Sequence, residues 1–393
     1  MKKILAISIL ITIFILVPSA IAYSFDDHES AQSVVSIHEA LHSLDMSTLE
    51  EYKNQIDDEI SPFFENKTVK DWIIGFVRGE WSFDFAEVCE NILQGLFKEI
   101  LANSSLLGKI LLLSVLSALL VNLQNSFSSS IAKVSYLACF LALSAIALNS
   151  FQIVLNIGHQ TIDNMVAFMM AMLPQMVILI AGLGNINTSL MVFPVLMSAA
   201  TVFANLIKSV VFPLIIMSAL LHIINQMSDT VKVARMAKFV SQLAQLSLGF
   251  FLTIFVGIVT LRAVYASVLD KVTLRTTKFV TDNAIPVVGK MFSDTIEVAA
   301  GYVILLKQAV SIYGVLIIFG IILFPLLKIA AIALIYKIAA AIVEPIGDSR
   351  TASVLEIMST HLFLMLSAVA SVGLMFLIML AMLAGMTNHM MTR

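Results

Sequence analysis

From Leu106 onward the chain is a near-unbroken series of long apolar runs, and no other feature restricts its fold as strongly. Hydrocarbon offers no water to bond backbone N–H and C=O groups, so a segment crossing it must satisfy them internally, as a helix or a closed barrel. A helical crossing takes about 20 mostly apolar residues. The runs lie at Leu106–Leu123, Val134–Leu155, Met165–Leu183, Leu190–Leu206, Val210–Ile224, Leu243–Leu261, Tyr302–Pro325, Leu326–Val343 and Leu362–Leu383, lengths that fit helices. Hydrophobic residues make up 59% of the chain and charged ones 12%, against roughly 25% charged in a soluble domain. The expected fold is an all-α polytopic membrane protein with about eight crossings, in the range seven to nine. Two features set that range. Only Ile207-Lys208-Ser209 separates the fourth and fifth runs, and the eighth carries Lys328 and Lys337 near its ends, as an interfacial helix would.

The start of the chain is built differently. Lys2 and Lys3, the apolar run Ile4–Val17 and the Ala20-Ile21-Ala22 site form the pattern of a cleaved secretory signal over residues 1–22; an uncleaved first span is the alternative. Residues 23–104 hold 17 acidic against 5 basic side chains, whereas 105–393 hold 9 acidic against 16 basic. The chain therefore divides into an acidic extracytoplasmic head and a mildly basic membrane domain. In the head, Ser47–Glu50 and Thr68–Asp71 resemble helix-capping boxes. Phe85, Val88, Ile92, Leu96 and Ile100 recur at helical spacing, so the head is expected to be helical.

With the head exported, the fifth run returns the chain to the cytoplasm at Asn225–Gln242. That segment holds Lys232, Arg235 and Lys238, as the excess of basic residues on cytoplasmic loops requires. It is expected to be an amphipathic surface helix and a candidate cytoplasmic partner surface. Arg262–Glu297 then falls outside. That loop is unusually basic for an exported one, so either it re-enters the membrane or the crossings are miscounted by one; re-entry puts Thr387–Arg393 inside.

Within that segment, Lys278–Gly301 interrupts the apolar rhythm with Lys278, Asp282, Lys290, Asp294 and Glu297 around a central Ile285-Pro286-Val287-Val288-Gly289. Pro286 lacks a backbone donor and Gly289 is permissive, so a helix should break here. Broken backbone at membrane depth is tolerated only against protein or a wet cavity. Asp282, Pro286, Gly289, Lys290, Asp294 and Glu297 are thus candidates for lining a channel or cavity; a solvated loop is the plainer alternative. Lys307 joins them as a charge inside an apolar run. It could be a cavity charge paired with Glu297 or Glu344, or a lysine snorkelling to the interface. Asn149, Gln152 and His222 read as polar glue between helices, and His361 has no evident partner. Pro174, Pro194 and Pro213 interrupt further runs.

No phosphate-binding GxxxxGK[ST], HExxH, CxxC or GxSxG pattern occurs. Cys89 and Cys139 are isolated, which gives neither a disulfide framework nor a zinc site. The sequence therefore calls for no catalytic residue, cofactor, metal or nucleic-acid partner, and the expectation is a non-enzymatic protein. Three readings stand: a subunit of a larger conduit, an autonomous secondary transporter of a small solute, and a non-conducting structural anchor.

The sequence Ile285–Asp294 (IPVVGKMFSD), the sequence Glu344–Arg350 (EPIGDSR) and the run Ser371–Phe376, behind a signal and a short acidic head, resemble the stage III sporulation protein AE family of endospore-forming bacteria. The resemblance covers nearly the whole chain. It implies a permease-like subunit of a secretion-like channel joining mother cell and forespore, needed to keep the engulfed forespore active and to support its late sigma factor. It implies residence in the mother-cell (outer) forespore membrane with the head in the intermembrane space. The partners it implies are other membrane subunits of the channel, a separate cytoplasmic ATPase and forespore-side ring proteins.

Overall fold

The computed structural model describes residues 85–127, 130–182, 186–227, 232–284, 288–346 and 349–385, giving only the backbone course for 85–88, 123–127, 130–133, 182, 186–192, 263, 266–302, 305 and 385. The signal and most of the head lie outside the described residues. Within them the chain is helical throughout: α1 Phe85–Ala102, α2 Ser104–Phe127, α3 Ser130–Gly182, α4 Ile186–Leu206, a π-helical turn Ile207–Val211, α5 Phe212–Met227, α6 Ala234–Ala284, α7 Val288–Val343, a 3-10 turn Glu344–Ile346 and α8 Ser349–Gly385. No strand occurs among the described residues.

Among the described residues, six segments are long and apolar enough to cross a membrane: Ser104–Asn122, Val134–Ala181, Phe193–Met227, Ala234–Arg262, Leu306–Ile346 and Ser349–Ala384. This is fewer than the expected number of runs, because neighbouring runs fuse. The second and third runs form the single 53-residue α3, with Pro174 inside it. The seventh and eighth form the 56-residue α7, with Pro325 inside. The fourth and fifth continue through the π turn, so Ile207-Lys208-Ser209 is a widened turn within one helical course. Proline costs a helix one hydrogen bond and a local clash, which packed neighbours in a membrane bundle can absorb. At 1.5 Å per residue α3 is roughly 80 Å long, well beyond the roughly 30 Å hydrocarbon core.

The core is made by α3, α7 and α8, with α7 antiparallel to both and α5 and α6 closing one flank. Small residues set the approach distances, as van der Waals packing between membrane helices favours. A Cβ built on Gly158 of α3 would lie 3.1 Å from Phe212 and 3.2 Å from Val369. One built on Gly373 of α8 would overlap Ile322 Cδ1, and one on Gly314 would overlap the end of Met172. Tyr336, fully buried on α7, donates its hydroxyl to Ser150 Oγ at 2.9 Å. The Ser359 hydroxyl donates across the α7–α8 pair to the Ala333 carbonyl at 2.9 Å. Many large apolar side chains remain exposed on the outside, among them Leu112, Leu246, Phe250 and Ile178, as a surface solvated by lipid requires.

α7 and α8 run antiparallel, and His361 of α8 meets Ser218 of α5 beside Ala237 of α6. These contacts put the α5–α6 and α7–α8 connections at one end of the bundle. α8 then carries the chain to the opposite end, so its terminus at Gly385 points away from the Lys232–Lys238 segment. Thr387–Arg393 lie outside the described residues. α1 lies against α7, with Gly95 facing Leu327 at 3.1 Å from a built Cβ, and a one-residue turn at Asn103 joins it to α2.

Candidate functional site

Of the stretch Lys278–Gly301, in which a helix break was expected, residues 285–287 lie outside the described residues. α6 ends at Ala284 and α7 begins at Val288. Pro286 lies outside the described residues. Asp282 is in the last turn of α6, while Gly289, Lys290, Asp294 and Glu297 are in the first turns of α7. The positions 290, 294 and 297 follow the four-and-three spacing that keeps residues on one side of a helix.

Lys307 is not a snorkelling residue. It is fully buried, four positions before the buried Ser311, whose hydroxyl donates to the Lys307 carbonyl at 2.8 Å. The neighbouring helix α3 contributes Met176, whose sulfur accepts from the same Ser311 hydroxyl at 3.6 Å. Pairing with Glu344 is excluded. The unbroken α7 separates the two residues by roughly 55 Å, and Glu344 is exposed at the far end.

Lys232, Arg235 and Lys238 are all exposed. They do not form the separate surface helix expected of them. They enter and begin α6, where Ala237 and Val240 turn inward and the three cations turn out. Three cations at a helix N-terminus oppose its dipole, so helix stability does not account for them.

The structure assembles two polar groups that the sequence did not link. In the first, the Ser218 hydroxyl, fully buried, donates to the Ala237 carbonyl at 2.9 Å and shares a 2.9 Å hydrogen bond with His361 Nε2. His361 Nδ1 donates to the Ile357 carbonyl and His222 Nδ1 to the Ser218 carbonyl, each at 2.8 Å. The two imidazoles stand edge to face, 5.2 Å apart. One serine thus ties three helices together. His222, expected to bond a neighbouring helix, bonds within α5 and reaches α8 by its ring contact with His361, and the partner of His361 lies 143 positions away in sequence.

In the second, Lys208 in the π turn is ion-paired with Asp163 of α3. His159, one turn before Asp163, stacks on Phe212 at 5.1 Å. A π turn inserts one residue into a helix and rotates the turns beyond it, and here it aims Lys208 across at α3. The cue available in sequence was the density of polar residues from Asn156 to Asn164. That density reads equally well as a loop between two crossings, and only the continuous α3 makes it a site. Asn149 and Gln152, expected to bond neighbouring helices, are exposed; Gln152 donates to its own helix neighbour Asn156 at 3.0 Å. Among the described residues no group of three or more His, Cys, Asp or Glu side chains is placed to hold a metal.

A family model described as Stage III sporulation protein AE matches residues 67–387. The chain belongs to this family. Stage III sporulation protein AE of Bacillus subtilis (strain 168) is 35% identical over 370 residues, covering 93% of this chain and 92% of that relative. No solved structure matches. The family match takes in α1 to α8 and the last part of the head, so both polar groups lie within the region shared with the sporulation protein.

Proposed function

We propose that this stage III sporulation protein AE family member is a permease-like, non-enzymatic subunit of a channel complex joining mother cell and forespore. It resides in the outer forespore membrane with its head in the intermembrane space, keeping the engulfed forespore active and supporting its late sigma factor. The family supports a role in sporulation, and six long apolar helices support a multi-pass membrane protein. The observation that carries the conduit reading is Lys307, a lysine fully buried in the bundle. Ionisable side chains buried within membrane bundles are rare and mark substrate or ion paths.

Other membrane subunits would complete the path. Forespore-side ring proteins would meet the head and the Lys278–Gly301 stretch. The exposed Lys232, Arg235 and Lys238 would receive a separate cytoplasmic ATPase. Lys307→Met tests the proposal in a sporulating strain. The variant should accumulate in the membrane at normal abundance while late forespore gene expression falls at least tenfold. Normal expression from an abundant Lys307→Met protein would leave a non-conducting anchor as the better account. Solute movement by the purified protein alone in liposomes would point to an autonomous transporter.

A further inference from the structure

The outward face of α3 carries Asn149, Gln152, Asn156, Gln160 and Asp163, at steps of three, four, four and three residues. All five are exposed, Asp163 to 60% of its side chain. At 100° per residue they fall within an arc of roughly 80° and extend roughly 21 Å along the helix. The opposite face, with Phe140, Leu143, Ala147, Val154, Phe168 and Met172, is buried in the bundle.

The height of this stripe decides its meaning. Gly158, in its middle, lies against Val369 of α8. Val369 is close to the centre of the apolar segment Ser349–Ala384. A linker between two crossings would sit beyond the ends of its neighbours, whereas this stripe sits beside the centre of one. Its amides and its carboxylate therefore face the exterior of the bundle at hydrocarbon depth. Lipid cannot bond them, and amides without partners are strongly disfavoured there.

Resting on the channel reading, we infer that this face of α3 is the wall of an aqueous path, closed by neighbouring chains of the assembled complex. Water and small polar solutes are its occupants. The chemistry of the wall supports that class. Amide side chains both donate and accept, so they suit water and neutral or zwitterionic solutes. Lys208 neutralises the single carboxylate, so the wall offers no unbalanced charge to hold an ion. The Gln152–Asn156 bond leaves further donor and acceptor capacity on both amides turned outward.

The test uses the full chain in membranes from sporulating cells, opened by freeze–thaw so that reagent reaches both faces. Cys89 and Cys139 are replaced by serine, and Asn149→Cys, Gln152→Cys, Asn156→Cys and Gln160→Cys are introduced singly. Leu148→Cys, on the flank of the stripe, and Ile178→Cys, beyond its end, serve as references. A membrane-impermeant methanethiosulfonate should label the four stripe positions at least tenfold faster than both references. Equal labelling of Leu148→Cys would make the segment a bulk-water linker and overturn the inference. So would an absence of labelling at all four positions, or disulfide-linked pairs of this chain in place of labelling, which would mean a dry seam between copies. These readouts do not depend on transport. An unlabelled stripe beside a defective Lys307→Met protein removes the wall and leaves the channel reading intact. A labelled stripe beside a fully active Lys307→Met protein does the reverse.

Discussion

Gly373 is the point at which α8 approaches α7 most closely on Ile322, and replacing it tests whether that pairing holds the bundle. In Gly373→Ala the new Cβ overlaps Ile322 Cδ1 and comes 3.1 Å from Cγ1. Ile322 is 6% exposed and has little room to yield. Overpacking of this kind costs about 1–3 kcal/mol. Alanine is also the better helix former, by about 1 kcal/mol, so the raw change understates the clash. Gly257→Ala supplies the correction, because nothing lies within 4 Å of a Cβ at that position. The difference between the two variants should be about 1–3 kcal/mol. Ile322→Val removes Cδ1 and by itself should cost about 0.5–1.5 kcal/mol. Combined with Gly373→Ala it relieves the overlap, so the double variant should be more stable than the sum of the singles by about 1–2 kcal/mol. Reversible unfolding in mixed micelles, followed by circular dichroism, measures all four. Additive single-variant losses would show that the two side chains do not meet, and the α7–α8 register would be wrong.

Two further outcomes concern the polar groups. Ser218→Ala removes the hydroxyl that joins α5, α6 and α8 and leaves His361 Nε2 without that partner; a loss of about 1–3 kcal/mol is expected in the same unfolding assay, whereas a loss no larger than that of Ser367→Ala, an exposed serine bonded within its own helix, would mean the node holds nothing. Asp163→Asn should strip Lys208, whose side chain is only 18% exposed, of its counter-charge and lower membrane abundance, and adding Lys208→Met should restore most of it, because a largely buried charge left without its pair is costlier than the pair removed altogether; immunoblots of membrane fractions compare the two.

Some of this was legible in the chain and some was not. The long apolar runs were sufficient for helices in a membrane. Lys307 stood out as a charge in an apolar run, but its burial did not, since snorkelling and burial share one sequence pattern. The runs on either side of Asn156–Asn164 looked like two crossings, because a polar link and an amphipathic stretch of one long helix have the same composition.

Composition and run length fix which solvent each segment accepts, and for this chain that sufficed for the all-helical membrane class. Whether adjacent runs fuse or fold back depends on what surrounds Pro174, Pro325 and the Ile207–Val211 turn. Neighbouring helices supply the packing that keeps those helices going, and such neighbours come from distant parts of the chain. The meeting of Ser218 with His361, of Lys208 with Asp163, and the outward aim of the amides on α3 are consequences of that packing. A linear pattern states what each side chain needs; only the packed bundle decides which partner, or which solvent, it meets.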